Sequence, residues 1–301
     1  MVSRRGIVII ILIGLAVIVS STRPWVSGYK LLGNKFSSMQ GPNFNIGGNV
    51  YREAQFKEDF NAAGIRRVVI KAPNGNIEVT KTDSDNITVE GERIAYGETA
   101  AEAESKLPLV QLHTATRGDV LEITGNIEES VTRGTLSRID MVIHVPAGIE
   151  VDSTLSLGNI TLDGIEGAIR AKLSMGEVKA NSIKGDLDIT LSTGAISVND
   201  ATIARKLNLV ISMGSIDYSG TLGESNYIQN STGYIKIRVP RSTCVRIDAE
   251  TSTGRINSSL PITNLKSEAM ASSAWGILGE GTPTGELRVR ASMGEIVISE
   301  I

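Results

Sequence analysis

A five-residue motif, Ser-x-Gly-x-Ile/Val, recurs through the second half of the chain at a nearly constant spacing. Successive motif glycines are separated by 18, 18, 20, 19, 21 and 40 residues; they are Gly158, Gly176, Gly194, Gly214, Gly233, Gly254 and Gly294. A fixed period in this range is typical of solenoids and other repeat arrays. The last gap equals two periods, which predicts a degenerate copy of the motif around its midpoint, Ala274.

Apolar residues alternate with polar ones on both sides of each motif glycine. The sets before the glycine include Ile169, Ala171, Leu173; Leu187, Ile189, Leu191; and Leu207, Leu209, Ile211. Period-two alternation predicts strands with one buried face, and the glycine falls where the alternation changes phase, as a corner requires. Paired hairpin turn signals are mostly missing. We therefore predict an all-β fold, a parallel β-solenoid with coils of about 18–21 residues.

The first residues resemble an export signal. Arg4 and Arg5 precede an apolar run over residues 6–19, and Trp25 follows at a position suited to a membrane interface. The run has no polar face, which argues against a buried soluble helix. We predict a signal-anchor or transmembrane helix at residues 1–22, with a cleaved signal as the alternative. Either reading places the main domain outside the cytoplasm, in a single-pass membrane protein or a secreted one.

Residues 23–61 are rich in Gly, Asn and Ser and lack sustained periodicity, so they are predicted to be a flexible linker. Phe56 and Phe60, near its end, are expected to lie over the open end of the following domain. Residues 62–301 are predicted to form the β-solenoid domain. An Ala/Glu-rich segment over residues 98–107 ends before Pro108, which indicates a short surface helix or loop within that domain.

Composition excludes several classes of protein. The net charge is −3 and the acidic and basic residues are interspersed, so no basic face is present for nucleic acid, and we expect no nucleic-acid partner. A single cysteine, Cys244, rules out an intrachain disulfide framework.

The motif serines are the most repeated polar feature. They are Ser156, Ser174, Ser192, Ser212, Ser231, Ser252 and Ser292. A stacked row of hydroxyls could bind sugar. We favour a local role, in which each serine hydrogen-bonds the backbone of its own corner, because the row follows the repeat and not a single site.

Candidate catalytic groups are few. His113 and His144 have no neighbouring Cys, His or Asp at metal-ligand spacing, and His144 is expected to point outward from its strand. Asp186 and Asp188 are expected on one strand face, and Asp163 and Glu177 near equivalent corners of neighbouring coils. These acids are interleaved with lysines, as on a solvated β face. We predict no catalytic site, no cofactor and no metal.

The segment Val142-Ile143-His144-Val145-Pro146-Ala147-Gly148-Ile149-Glu150-Val151, followed by Gly158-Asn159-Ile160-Thr161-Leu162 and the later Ser-x-Gly copies, resembles a known prokaryotic family. This is the domain of unknown function described as putative adhesin, a β-strand-repeat protein, and the likeness covers roughly residues 62–301. The resemblance implies an envelope location, a β-solenoid and an N-terminal membrane segment. It supplies no catalytic residues.

These observations predict a non-enzymatic cell-envelope protein, an adhesin or surface interaction scaffold. Its expected contacts are the membrane, through the N-terminal segment, and polysaccharide, cell wall or another envelope protein. One alternative is an envelope-stress regulatory protein that docks on a membrane sensor, through a patch around Trp275. Another is a polysaccharide-active β-helix enzyme, which would need two converging carboxylates on adjacent coils.

Overall fold

A computed structural model describes residues 50–132, 137–267 and 271–301. The predicted N-terminal helix at residues 1–22 and the first part of the predicted linker lie outside these residues. Within the described part of the chain, no helix is long and apolar enough to cross a membrane.

The fold is all-β, with sixteen strands in one sheet. The strands are β1 (Val50–Asn61), β2 (Arg67–Lys81), β3 (Asn86–Gly97), β4 (Val110–Arg117), β5 (Val120–Ile127), β6 (Arg138–Val145), β7 (Glu150–Asp163), β8 (Ile169–Asn181), β9 (Lys184–Thr221), β10 (Ser225–Val239), β11 (Val245–Thr253), β12 (Ile256–Ser258), β13 (Ile262–Ser267), β14 (Ser272–Leu278), β15 (Glu286–Met293) and β16 (Ile296–Glu300). Two short α-helices, α1 (Ala100–Lys106) and α2 (Glu129–Thr132), and a 3-10 turn (Leu107–Leu109) lie between β3 and β6. Helix α1 confirms the short helix expected over residues 98–107.

The centre of the sheet is a stack of parallel rungs, a rung being the two strand segments that flank one corner glycine. Strands β2, β7, β8, β9 and β10 pair in parallel and in register, so that each motif glycine lies beside the glycine of the next rung. Strand β9 contains two successive rungs: its first half pairs with β8 and its second half with β10.

Both ends of the sheet are antiparallel. At one end β3 pairs antiparallel with β1 and β6, and β4 with β5. At the other end β14 pairs antiparallel with β11 and β13. The sheet is therefore mixed, and the prediction of an entirely parallel arrangement is wrong at its ends. The expected degenerate coil at Ala274 is also wrong, because this residue lies in the antiparallel strand β14.

The order of the rungs departs from the order of the sequence near the C-terminus. The rung formed by β15 and β16 pairs in parallel with β10 on one side and with β11 and β12 on the other. The last rung in sequence thus inserts between two earlier ones. A similar exchange occurs at the other end, where β2 lies between β7 and the later strands β5 and β6. The C-terminal strands are consequently paired on both sides and do not form a free edge.

The core consists of aliphatic ladders inside the stack. The predicted inward residues on both sides of the corners are buried, including Ile189, Leu191, Leu209, Ile196 and Ile298. One large aromatic residue joins them: Tyr218 is fully buried, and its hydroxyl donates to the carbonyl oxygen of Thr221. Burial raises the pKa of the Tyr218 hydroxyl.

The predicted linker ends earlier than expected, because residues 50–61 form strand β1. Its sequence alternates regularly enough to pair along its whole length with β3. Phe56 and Phe60 are partly buried against the core, as the sequence predicted, and their strand covers one end of the stack.

Candidate functional site

The motif glycines form a continuous column along one corner of the stack. Each has a positive φ, between +133° at Gly233 and +151° at Gly254. A Cβ atom on any of them would overlap a backbone carbonyl oxygen of the neighbouring rung. Only glycine fits such a position, since it combines a left-handed backbone with close stacking. The motif therefore requires glycine for the close packing of neighbouring rungs.

The motif serines lie on the outside of this corner. Six of them are exposed and Ser231 is half-buried. The expected hydrogen bonds to their own corners are not formed: within the described residues, none of these hydroxyl groups has a hydrogen-bond partner. The row is accordingly free to contact solvent or a ligand.

The residue between the serine and the glycine forms a second column, exposed except at the half-buried Leu157, which the sequence analysis did not single out. Its members, in spatial order from β7 to β11, are Leu157, Met175, Thr193, Met213, Thr232, Met293 and Thr253. Three of them are methionines with about half of their surface exposed (50% at Met175, 57% at Met213 and 56% at Met293). We call this row the methionine–threonine column.

The two acids proposed as a pair, Asp186 and Asp188, do lie on one outward face. Asp186 is bound by Arg205, whose Nη2 donates to Oδ2 at 2.8 Å, and by the backbone N–H groups of Arg205 and Lys206, both 3.1 Å from Oδ1. Burial opposes ionisation, but these donors outweigh it and lower the pKa of Asp186. Asp188 accepts from Asn208 Nδ2 at 2.7 Å. A carboxyl with a lowered pKa is poorly suited to be a general acid.

The other proposed acids are not at equivalent corners. Asp163 pairs with Asn181 in the neighbouring rung, and Glu177 pairs with Asn159. The prediction for Asp163 and Glu177 is therefore wrong by four positions. The register between rungs determines which residue pairs with Asp163 and which with Glu177, and neither partner is acidic.

His144 points outward between the buried Ile143 and Val145, as predicted. Its Nδ1 lies 2.7 Å from Thr80 Oγ1, and its Nε2 lies 3.7 Å from Glu90 Oε1. This hydroxyl–imidazole–carboxylate order resembles a hydrolase triad, but 3.7 Å exceeds hydrogen-bond distance, and Lys57 Nζ binds the same carboxylate at 3.1 Å. His113 is exposed and contacts Gln111. The partners of His144 come from β2 and β3, so local sequence did not reveal them.

A cavity of about 320 Å³ lies beside Cys244, and half of its lining residues bear a hydroxyl group, among them Thr221, Ser242 and Thr282. Glu280 is the only carboxylate in its lining, so it holds no pair of acids. Across the described ranges, no group of three or more His, Cys, Asp or Glu side chains could hold a metal ion.

Asp140 forms a buried polar cluster at the start of the stack. Its Oδ1 accepts from the backbone N–H and the Nδ2 of Asn76, at 2.8 and 2.9 Å, and its Oδ2 accepts from Arg138 Nε at 2.9 Å. Asn159 Nδ2 donates to Asn76 Oδ1, which extends the cluster into the next rung. The cluster therefore links the neighbouring strands β6, β2 and β7.

The opposite end carries an exposed apolar pair. Trp275 on β14 is 47% exposed and Leu265 on β13 is 46% exposed. Strand β13 pairs only with β14 among the described strands, so Leu265 lies on an edge of the sheet. Leu265 pairs with Ala274 and Trp275 pairs with Asn264, so the two apolar side chains lie on opposite faces of the sheet. We call the surface around Trp275 the end patch.

No family model matches the sequence, and no curated protein is detectably similar to it. The chain is similar to several solved structures. One is a putative cell adhesion protein from Clostridium sporogenes, which is 15% identical with a TM-score of 0.39; the likeness covers 83% of this chain and 100% of that one. Another is a putative adhesin from Parabacteroides merdae, which is 10% identical with a TM-score of 0.33; the likeness covers 85% of this chain and 97% of that one. A third is a putative lipid binding protein from Parabacteroides distasonis, which is 13% identical with a TM-score of 0.29; the likeness covers 85% of this chain and 98% of that one. The second of these carries the description putative adhesin, as does the family that the repeats resemble.

Proposed function

We propose that this chain is a non-enzymatic cell-envelope protein that presents a rigid parallel β-solenoid beyond a membrane anchor. The observation that carries the proposal is the glycine column, in which rung after rung stacks backbone on backbone. Such stacking favours a long, stiff and repetitive surface, which suits contact with an extended partner better than with a small molecule. The membrane anchor rests on the sequence of residues 1–22 alone.

The outward faces of the strands support this proposal because their acidic and basic side chains alternate and form ion pairs with one another. Arg170 lies 3.5 Å from Asp152 of the preceding rung, and Arg238 lies 2.7 Å from Asp217. An ion pair with an exposed member, such as Arg170 with Asp152, contributes about 0–1 kcal/mol to stability. The faces therefore remain hydrated and polar, as expected for a surface that contacts polysaccharide or cell wall.

The test is co-sedimentation of the full-length protein with purified envelope polysaccharide and with cell wall. One variant replaces Lys172, Thr190 and Val210 by Asp, on the face before the glycine column. A matched variant replaces Lys179, Ser197 and Ser219 by Asp, on the face after it, so that each variant changes the net charge by −4. We expect sedimentation of the wild type and its loss in one of the two variants, with both still folded. Wild-type protein that stays in solution with both materials would contradict the proposal.

A regulatory role is the second candidate, and the end patch favours it. Trp275 is a large aromatic residue on the surface, of the kind that anchors protein interfaces. In-cell crosslinking of the full-length protein tests this role, with Trp275→Ala as the variant and Tyr234→Ala, an exposed aromatic residue away from the end patch, as the control. Capture of one membrane protein that is lost only in Trp275→Ala would favour regulation over the scaffold.

The polysaccharide-active alternative has less support. It requires two carboxylates that converge from adjacent rungs, one of them protonated. Asp186 and Asp188 are instead bound by Arg205 and Asn208. Release of reducing ends from envelope polysaccharide that is abolished by Asp186→Asn and Asp188→Asn would revive this alternative.

A further inference from the structure

From Met175 onward, the methionine–threonine column alternates strictly in space but not in sequence. In sequence, Thr232 is followed by Thr253 and only then by Met293. In the sheet, Met293 pairs with Thr232 on one side and with Thr253 on the other. Insertion of the last rung therefore places a methionine between two threonines and completes the order Met175, Thr193, Met213, Thr232, Met293, Thr253.

This order places thioethers at regular intervals. Neighbouring rungs are about 4.8 Å apart, so methionines two rungs apart have Cα atoms separated by roughly 10 Å. The methionine side chain is unbranched and has three rotatable bonds, so it can extend along the column from either side of a threonine. The short threonine side chain leaves the space between two methionines open. Met175 and Met213 flank Thr193, and Met213 and Met293 flank Thr232.

The three exposed thioethers contrast with the fourth methionine that the structure describes. Met141 is fully buried in the core, as an apolar side chain of this size normally is. Met175, Met213 and Met293 instead lie in water at the one corner where the rung repeat aligns them. Thioethers are soft ligands that select soft cations such as Cu(I), and they bind hard cations poorly.

We propose that the methionine–threonine column binds a soft monovalent metal ion, Cu(I) in chemical class, between pairs of methionines that flank a threonine. Met213 belongs to both pairs, Met175 with Met213 and Met213 with Met293, so its sulfur is a ligand at both proposed metal positions. The site is additional to the scaffold role and does not require it. It is assembled only in the folded chain, because Met293 reaches Met213 through the inserted rung.

The test uses the full-length protein labelled with ¹³C at the methionine methyl groups. It is titrated with Ag(I), a stand-in for Cu(I) that does not change oxidation state, and the methyl signals are followed by NMR. We expect the signals of Met175, Met213 and Met293 to shift together while that of Met141 stays unchanged. A parallel titration with Cu(I) against a competing chelator gives the affinity.

Met213→Leu keeps the apolar volume and removes the shared sulfur. We expect it to weaken binding at both outer methionines by about tenfold or more, since each gap is left with one soft ligand. Met141→Leu makes the same change in the core, outside the column, and is the matched control, which should bind as the wild type does. The proposal would be overturned if no methionine signal shifted in the wild type. It would also be overturned if the signals of Met175 and Met293 shifted as much in Met213→Leu as they do in the wild type.

Discussion

The carbonyl oxygen of Gly233 occupies the space where a side chain on Gly294 would have to lie, although five other strands separate β10 from β16 along the chain. Gly294 in turn approaches Gly254 in the same way from the other side. The same motif thus serves rungs that are neighbours in space but not in sequence.

We predict that Gly294→Ala destabilises the protein strongly. Its φ is +144° and the added methyl group would overlap the backbone of Gly233. The free energy of unfolding should fall by about 2 kcal/mol or more. Urea denaturation measures this, with Gly118→Ala as the control. Gly118 also has a positive φ, +63°, but open space around it, so it should lose only about 1 kcal/mol. A smaller loss in Gly294→Ala than in Gly118→Ala would contradict the close stacking.

A charge placed in an inward ladder should be far more costly than one placed beside it. Leu191 is buried and Thr190, its neighbour, is exposed. Leu191→Asp leaves a carboxylate without a partner in the core, which should cost about 3–5 kcal/mol. Thr190→Asp should change the free energy of unfolding by about 0.5 kcal/mol or less. Equal stability of the two variants in urea would show that the inward assignment is wrong.

The sequence was sufficient for the rung itself, because the signals that define it are local. The alternation of apolar residues around Leu191 and the glycine at position 194 lie within a few residues of one another. The order of rungs was not predictable, because Gly233, Gly254 and Gly294 carry the same motif and nothing local indicates which two are neighbours.

At the candidate site, too, local sequence predicted some features and not others. The outward position of His144 followed from the alternation of its own strand. Its contacts with Thr80 and Glu90 depend on the pairing of β6 with β2 and β3, which no local pattern specifies. The alternation of Met213, Thr232 and Met293 was hidden for the same reason, because it exists only in the spatial order.

The buried carboxylate of Asp140 should be essential to the first rungs. In Asp140→Ala, both donors of Asn76 and the guanidinium of Arg138 lose their acceptor. Breaking such a buried charged network should cost about 3–5 kcal/mol. Asp188→Ala is the control, since among the described residues that outward carboxylate accepts a side-chain hydrogen bond from Asn208 alone, and its loss should cost about 1 kcal/mol. The prediction fails if thermal unfolding shows the two variants to be equally stable.

Glu92 should make the protein more stable in acid than it would otherwise be. Burial raises the pKa of Glu92, and the nearby carboxylates of Glu53 and Asp140 raise it further, against the opposing effect of Arg138. The folded-state pKa therefore lies above the unfolded one. The favourable contribution is complete below the unfolded pKa of about 4.3 and is lost as the pH rises through the folded value.

Glu92→Gln removes this titration. The variant should be more stable than the wild type at pH 7, and the difference should shrink as the pH falls through the folded-state pKa of Glu92 and disappear below about 4.3. Urea denaturation at several pH values measures it. Asp186→Asn is the control of opposite sign, because the lowered pKa of Asp186 gives stability above its unfolded pKa that is lost in acid. A Glu92→Gln variant less stable than the wild type at pH 7 would contradict the prediction.

The inserted last rung is the central claim, and disulfide trapping tests it most directly. Two double-cysteine variants are made in a Cys244→Ser background: Thr232→Cys with Met293→Cys, and Thr232→Cys with Thr253→Cys. Residues 232 and 293 are register partners on adjacent rungs. Residues 232 and 253 are two rungs and roughly 10 Å apart, beyond the reach of about 7 Å for a disulfide. We predict an intramolecular disulfide in the 232/293 variant and none in the 232/253 variant. The reverse result would mean that the rungs follow the order of the sequence.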